Sequence, residues 1–126
     1  MPLAPAKEYP RVVIVDDDNA VRMALAFALE LQGFDVESCG SGEALLLHAL
    51  PDWGTCLVID ERLPGLSGLA TLNRLRIRQV LLPAILMTSH PSLALRTAAR
   101  MAGVPILEKP IFGDALVLAI HAAMRA

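Results

Sequence analysis

The sequence predicts a three-layer α/β domain built on a parallel five-stranded sheet. Five short apolar runs occur along the chain, and each is followed by a segment in which apolar residues recur at helical spacing. Strands that alternate with helices favour right-handed βαβ units, and hence a parallel sheet with helices on both faces. The chain has 126 residues, enough for one domain rather than two.

The first half of the chain predicts three strands and two helices. A β-branched run at residues 12–15 is typical of a strand buried on both faces, and runs at 34–39 and 56–59 predict the next two strands. Apolar residues recur at helical spacing from Val21 to Leu29, and Gly33 can end that helix. Ser41 can cap a second helix that continues through residue 50.

The second half predicts three helices and two more strands. A turn-rich segment at residues 63–68 leads into a helix, and a strand at 84–87 follows it. Pro91 and Ser92 stand where a helix through residue 102 begins, Gly103 can end it, and a strand is expected at 104–107. The apolar faces of the third and last helices are Leu69, Leu72 and Leu75, and Leu116, Ala119, Ile120 and Ala123. Residues 1–10, with three prolines, predict an irregular lead-in to a domain at 11–126.

Composition excludes several classes of protein. A net charge of −2 argues against a basic nucleic-acid binder, and 55% hydrophobic residues argue against disorder. The richest apolar stretch, residues 80–87, is far shorter than the ~20 residues of a membrane span, and the N-terminus does not resemble a secretory signal. Cys39 and Cys56 fall on strands that the first strand separates, so we expect two core thiols and no disulfide. The cytoplasm is the default location.

Polar residues stand where four of the predicted strands end. Asp16 and Asp17 follow the first strand, Asp60 the third, Thr88 the fourth and Lys109 the fifth. If the strand order is 2-1-3-4-5, the order reverses between the first and third strands, which is where open α/β sheets bind ligands. The three carboxylates then lie side by side and need a cation or raised pKa values. Oxygen ligands without His or Cys favour Mg²⁺ over zinc.

This combination of groups suits phosphoryl transfer to an aspartate. The metal and the ammonium of Lys109 would neutralise the phosphoryl oxygens, and a carboxylate would be the nucleophile. Capping of the first helix is the expected role of Asp18 or Asn19. His48 and His121 are expected on helices, at the surface or partly packed, and the arginines at 74, 76 and 78 on a solvated helix edge.

Four segments, VVIVDDDNAVR, LVIDERLPGLSG, ILMTSH and LEKP, together resemble the receiver domains of two-component response regulators. The resemblance covers about residues 11–124 and is closest to the branch whose longer members end in a helix-turn-helix DNA-binding domain. It implies a flavodoxin-like (βα)5 fold and Asp60 as the phosphoacceptor. The implied Mg²⁺ ligands are Asp17 directly, Asp16 mostly through water, Asp60, and the main-chain carbonyl of Arg62. Thr88 and Lys109 would contact the phosphoryl group, and the Lys109–Pro110 peptide would be cis.

The resemblance also implies a function in signalling. A histidine kinase or phosphotransfer protein would supply the phosphoryl group, and the chain would catalyse only its own phosphorylation and dephosphorylation. The phosphorylated domain would switch a face formed by the fourth helix, fifth strand and fifth helix, carrying Leu93, Leu95, Ile106 and Leu116. That face would bind a downstream partner or a second copy, with no direct binding of nucleic acid or membrane. We expect either a stand-alone regulator or a piece of a larger protein.

One position departs from the family pattern. Receivers often carry Tyr or Phe three residues before the lysine, and this chain has Ile106. We therefore expect Ile106 to stay packed in both states, with the signal carried by backbone shifts along the fifth strand. Glu61 and His90, beside Asp60 and Thr88, could tune the lifetime of the aspartyl phosphate.

Two alternatives remain open at this point. The chain could be a pseudo-receiver, a scaffold that uses the fold without phosphorylation. It could also be a phosphatase of the haloacid-dehalogenase type, which places Asp-x-Asp after an apolar strand, as Asp16 and Asp18 stand here.

Overall fold

A computed structural model describes residues 10–51 and 53–125. Nine of the ten residues in the expected irregular lead-in therefore lie outside the described part of the chain. Strands and helices alternate in the order β1 (Arg11–Val15), α1 (Asn19–Leu31), β2 (Asp35–Cys39), α2 (Gly42–Leu47), β3 (Thr55–Asp60), α3 (Gly68–Ile77), β4 (Ala84–Thr88), α4 (Leu93–Met101), β5 (Ile106–Glu108) and α5 (Gly113–Arg125).

The sheet has the predicted topology. Its strands pair in parallel in the order β2-β1-β3-β4-β5. Strand β1 lies between β2 and β3, so the direction of winding reverses between β1 and β3. The fold class and strand order predicted from the sequence are confirmed.

The two faces of the sheet bury separate cores because successive side chains of a strand point to opposite faces. Along β1, Val13 and Val15 belong to one core, which we call the first core, and Val12 and Ile14 belong to the second core on the opposite face. The first core adds buried residues from α2, α3 and α4, namely Leu45, Leu72, Leu75 and Ala99. The second core adds buried residues from α1 and α5, namely Leu25, Leu29, Leu116 and Ile120. All three layers of the predicted architecture are present.

Short polar side chains begin four of the helices. The Asp18 carboxylate accepts from the N–H groups of Ala20 and Val21, which confirms it as the cap of α1. The serine hydroxyls that cap α2, α3 and α4 belong to Ser41, Ser67 and Ser92.

Helix α2 is shorter than predicted. It ends at Leu47 rather than Leu50, and the capping residue His48 is already extended, with ψ of 136°. Pro51 disfavours helical geometry at Leu50, and the imidazole of His48 contacts the Glu37 carboxylate of β2 at 2.7 Å. His48 therefore lies past the end of α2 instead of on its surface.

The fifth strand begins two residues later than predicted, at Ile106. Pro105 has no N–H group to donate to a strand ladder, although its carbonyl accepts from the N–H of Leu86 at 3.0 Å. Val104 is buried in the first core without belonging to the strand.

Two predictions about side-chain placement were wrong. Leu116 does not belong to an exposed interaction face, because it is fully buried, whereas Leu95 packs against the first core and is partly exposed. Arg76 is not solvated along its whole length, because its guanidinium donates to the carbonyl of Ala102 at the end of α4. Cys39 and Cys56 are buried free thiols, as expected. No helix in the described ranges has the length and apolarity needed to cross a membrane.

Candidate functional site

Three carboxylates meet where the sheet reverses its direction of winding. Asp16 follows β1 directly, Asp17 is the next residue, and Asp60 is the last residue of β3. One oxygen from each carboxylate lies within 4.8 Å of the others. Asp16 and Asp60 are 1% and 4% exposed, whereas Asp17 is open to solvent. Adjacent parallel strands produce this cluster because their carboxyl ends lie at the same edge of the sheet.

The ammonium of Lys109 bridges the two buried carboxylates. Its Nζ lies 3.2 Å from Oδ2 of Asp16 and 3.2 Å from Oδ2 of Asp60. The main-chain N–H of Lys109 donates to the carbonyl of Thr88, which holds the segment after β5 against the end of β4. The Lys109–Pro110 peptide is cis.

Burial and charge shift the pKa values of the paired groups. Burial raises the pKa of Asp60 and the Asp16 carboxylate adds to the rise, while Lys109 opposes it; the net shift is upward. Burial disfavours the charged form of Lys109, but Asp60 and Asp16 outweigh it and raise the pKa of the ammonium. Lys109 therefore stays charged at neutral pH beside carboxylates that repel each other.

Hydrogen bonds hold the loop that carries Asp16 and Asp17. The N–H of Asp16 donates to the carbonyl of Cys39, and Oδ1 of Asp16 accepts from the N–H of Asp18 at 2.9 Å. From α1, Nη1 of Arg22 donates to the main-chain carbonyl of Asp16 at 2.6 Å. Arg22 is not among the residues expected from the sequence, although its place four residues after the capping Asp18 puts it one helical turn from the loop.

The loop after Asp60 is held from two sides. The N–H of Arg62 donates to Oδ1 of Asp60 at 3.2 Å. Oε1 of Glu61 accepts from the N–H of Leu69 at 2.9 Å, so this carboxylate is bonded to the first turn of α3. Gly68 lies so near the main chain of Asp60 that an added Cβ would be 2.5 Å from its carbonyl oxygen.

The remaining predicted residues lie at the end of β4, in the turn that follows it, and on β5. Thr88 ends β4 and is 3% exposed, and its hydroxyl donates to the carbonyl of Ser89 at 3.3 Å. His90 is exposed and has a φ of +47°, which places it on a turn beside this edge. Ile106 is partly buried against the first core, on the strand that follows α4.

The acidic cluster has the chemistry of a site for a hard divalent cation. All three side chains offer carboxylate oxygens, the ligands that Mg²⁺ prefers. Two of them are buried together, and Lys109 supplies one positive charge between them. A divalent cation would relieve the remaining repulsion, so the residues fit Mg²⁺.

Comparison with known proteins identifies relatives of the whole described fold. The family model described as "Response regulator receiver domain" matches residues 12–121. The transcriptional regulatory protein FixJ of Azorhizobium caulinodans is 38% identical over 114 residues, which cover 90% of this chain and 54% of that protein. The C4-dicarboxylate transport regulatory protein DctD of Pseudomonas aeruginosa is 34% identical over 98% of this chain and 27% of its own length. The chain thus spans about half, or less, of the length of these curated relatives.

Solved structures share the fold of this chain, and one of them is also similar to it in sequence. A crystal structure titled FixJ-N superimposes with a TM-score of 0.82 at 37% identity, covering 93% of this chain and 94% of that one. The chemotaxis protein CheY4 of Vibrio cholerae has a TM-score of 0.79 at 21% identity, and it supports the fold alone.

Proposed function

Because this chain belongs to the family of response-regulator receiver domains, we propose that it accepts a phosphoryl group on Asp60 in the presence of Mg²⁺. The observation that carries the proposal is the meeting of Asp16, Asp17 and Asp60 within 4.8 Å, with Lys109 in contact with Asp16 and Asp60. Asp17, Asp60 and the main-chain carbonyl of Arg62 would hold the ion, with Asp16 acting mostly through water.

Each group has a defined part in the transfer. A carboxylate oxygen of Asp60 attacks phosphorus in line as the bond from phosphorus to the donor's histidine nitrogen breaks. When bound, Mg²⁺ supplies charge neutralisation to the phosphoryl oxygens. Lys109 pairs with one phosphoryl oxygen, and the hydroxyl of Thr88 turns from the Ser89 carbonyl to donate to another.

Chemical phosphorylation tests this assignment without a partner protein. We expect acetyl phosphate and Mg²⁺ to add one phosphoryl group, mapped by mass spectrometry to the peptide containing Asp60. Asp60→Asn should abolish the label, whereas Asp35→Asn, which changes an exposed carboxylate at the start of β2, should retain it.

The labelling experiment, together with a phosphatase assay, separates the alternative functions. An unlabelled wild-type chain would favour a pseudo-receiver scaffold, and a label that survives Asp60→Asn would place the acceptor elsewhere. Turnover of p-nitrophenyl phosphate that depends on Asp16 would instead support the phosphatase alternative.

An exposed apolar stripe beside the acidic site offers a surface for the phosphoryl donor. Met23, Phe27 and Leu31 stand one turn apart on α1 and are 64%, 65% and 70% exposed. The stripe begins next to the loop that carries Asp17, because the Asn19 side chain contacts the sulfur of Met23. A histidine kinase or phosphotransfer protein that packs on this stripe would bring its phosphohistidine to the sheet edge.

Substitution within the stripe tests the docking proposal. Phe27→Ala should slow phosphotransfer from the donor about tenfold or more, as expected when a buried aromatic anchor of an interface is lost. Labelling by acetyl phosphate should not change, because Phe27 lies outside the acidic site. Leu118→Ala, an exposed leucine on α5, is the matched control. Equal rates of donor transfer for Phe27→Ala and wild type would overturn the docking surface.

The face of α4, β5 and α5 is the proposed output surface. Leu93, which the sequence already assigned to this face, is 79% exposed. Met101 and Leu118, 84% and 69% exposed, are proposed as apolar contacts in place of the buried Leu116. The ion pair between Arg96 and Glu108 joins α4 to β5, so a shift of β5 would alter this face. We propose that it binds a downstream partner or a second copy, without direct binding of nucleic acid by this chain.

His90 and Glu61 are proposed to tune the lifetime of the aspartyl phosphate. His90→Ala should change the rate of dephosphorylation, and an unchanged rate would remove His90 from this role. Like its family, the chain is proposed to act in the cytoplasm as a regulatory domain that catalyses its own modification.

A further inference from the structure

Arg22 makes one hydrogen bond to the loop between β1 and α1 and a second to the first residue of α1. Its Nη1 donates to the main-chain carbonyl of Asp16 at 2.6 Å, and its Nη2 donates to Oδ1 of Asn19 at 3.0 Å. The guanidinium is partly buried and packs beside Gly40, where an added Cβ would lie 3.4 Å from Nη1. Both ends of the planar fork are therefore occupied by neutral oxygens, one from the loop and one from the first residue of α1.

The carbonyl that Arg22 holds belongs to the peptide between Asp16 and Asp17. Fixing this peptide plane restricts the main-chain dihedrals on either side of it, and thus the direction in which the Asp17 side chain leaves the backbone. The buried carboxylate of Asp16 has its own anchors, since it bonds the N–H of Asp18 and the ammonium of Lys109. Asp17 is exposed, and its orientation depends more strongly on the main chain.

We propose that Arg22 is a positioning residue that sets the affinity of the site for its divalent cation by fixing the main chain of Asp17. This inference rests on the proposed function, because it takes the acidic cluster to be a Mg²⁺ site. Arg22 acts through the loop without touching the ion. Loss of a residue that orients a metal ligand without touching the ion typically weakens metal affinity about 10- to 100-fold.

The direct test is a Mg²⁺ titration by calorimetry, in parallel with labelling by acetyl phosphate at limiting and at saturating Mg²⁺. We expect Arg22→Ala to raise the Kd for Mg²⁺ about tenfold. Labelling should fall at limiting Mg²⁺ and return toward the wild-type rate at saturation, because the acceptor Asp60 and its partner Lys109 are unchanged.

Arg78→Ala is the matched control, because Arg78 also donates to a main-chain carbonyl, that of Leu46, at 2.8 Å. It should leave the Kd for Mg²⁺ unchanged even where it lowers the free energy of unfolding. If Arg22 only stabilised the fold, Arg22→Ala would behave like Arg78→Ala: the free energy of unfolding would fall and the Kd for Mg²⁺ would not change.

Two further variants keep the test decisive if Arg22→Ala does not fold. Arg22→Lys can reach the Asp16 carbonyl but cannot supply both arms of the fork, so its Kd should lie between those of wild type and Arg22→Ala. Asn19→Ala removes only the second arm and should weaken Mg²⁺ binding less than loss of Arg22. Wild-type affinity in Arg22→Lys, Asn19→Ala and any folded Arg22→Ala would overturn the inference while leaving the Mg²⁺ site intact. Failure of the wild-type chain itself to bind Mg²⁺ would instead refute the proposed function.

Discussion

Lys109 is the residue whose charge offsets part of the negative charge of the acidic site before any metal binds. Its Nζ contacts the carboxylates of Asp16 and Asp60, and its main chain is tied to Thr88. Removing the ammonium leaves two buried carboxylates facing each other without a cation, which is costly in a low-dielectric setting. The same loss makes the site more attractive to a divalent ion.

The loss of unfolding free energy in Lys109→Met should therefore depend on Mg²⁺. We expect the metal-free variant to lose up to about 3 kcal/mol of unfolding free energy, because breaking a fully buried ion pair costs about 3–5 kcal/mol and the Lys109 side chain is 27% exposed. In Mg²⁺ the loss should shrink, because the ion replaces the missing charge. Urea denaturation with and without Mg²⁺ measures both values, and Arg96→Met, which breaks an exposed ion pair, is the control. Equal losses in the two conditions would contradict this role.

Cys56 gives a pH dependence with a definite sign. Burial raises the pKa of its thiol from 9.0 to about 12. Between these values the unfolded thiol loses its proton while the folded thiol keeps it, so the stability that this group contributes is lost as the pH rises. We expect wild type to lose unfolding free energy more steeply than Cys56→Ala above pH 9, by up to about 1.4 kcal/mol per pH unit. Parallel slopes in alkaline urea titrations would refute this.

The positions of site residues were predictable from the sequence where the residues lie at the ends of strands. Asp16, Asp17 and Asp60 follow apolar runs, so the sheet topology was enough to bring them together. Arg22 was not predictable in the same way, because its partner is a main-chain carbonyl, which has no sequence signature. The burial of Arg76 against Ala102 escaped prediction for the same reason.

Helix α3 begins in direct contact with the end of β3, the strand that carries the proposed phosphoacceptor Asp60. Gly68 is its first residue, and no side chain fits there, because a Cβ would lie 2.5 Å from the Asp60 carbonyl oxygen and 2.8 Å from Cδ1 of Leu86. The glycine thus allows α3 to pack against the end of β3.

Gly68→Ala should push α3 away from Asp60. We expect a loss of about 1–3 kcal/mol in unfolding free energy, the usual cost of overpacking, and slower labelling of Asp60. Ser67→Ala, which removes the neighbouring cap, should cost about 1 kcal/mol and leave the labelling rate unchanged. Urea denaturation and acetyl phosphate labelling check both, and a fully stable Gly68→Ala with normal labelling would contradict the packing argument.

The ends and phases of elements were harder to predict than their existence. Apolar spacing located α5 correctly, but assigning Leu116 to an exposed face required the opposite phase: Leu116 and Ile120 point into the core, whereas Leu118 faces out. Prolines moved two boundaries, since Pro51 follows the early end of α2 and Pro105 precedes the late start of β5.

The strand order decides which edge of the sheet carries the acidic site. Because β1 and β3 are neighbours and parallel, residues more than 40 positions apart in sequence present carboxylates at one edge. Regular alternation of apolar runs and helical spacing made this order predictable as the common arrangement. The proposed output surface was only partly predictable, because which apolar residues remain exposed depends on how each helix packs.

The departure from the family pattern at position 106 bears on the proposed switching of the output surface. Ile106 is packed against the first core, and its strand is joined to α4 through the ion pair of Arg96 with Glu108. We still expect Ile106 to stay packed in the phosphorylated state, with the change carried by the main chain of β5.

The most direct measurement is a crystal structure of the chain with Mg²⁺ and beryllofluoride, which mimics a bound phosphoryl group. We expect beryllium bonded to a carboxylate oxygen of Asp60, the metal ion on Asp17 and Asp60, and Lys109 against a fluoride. Beryllofluoride attached to any other residue, or an ion held away from these side chains, would contradict the account.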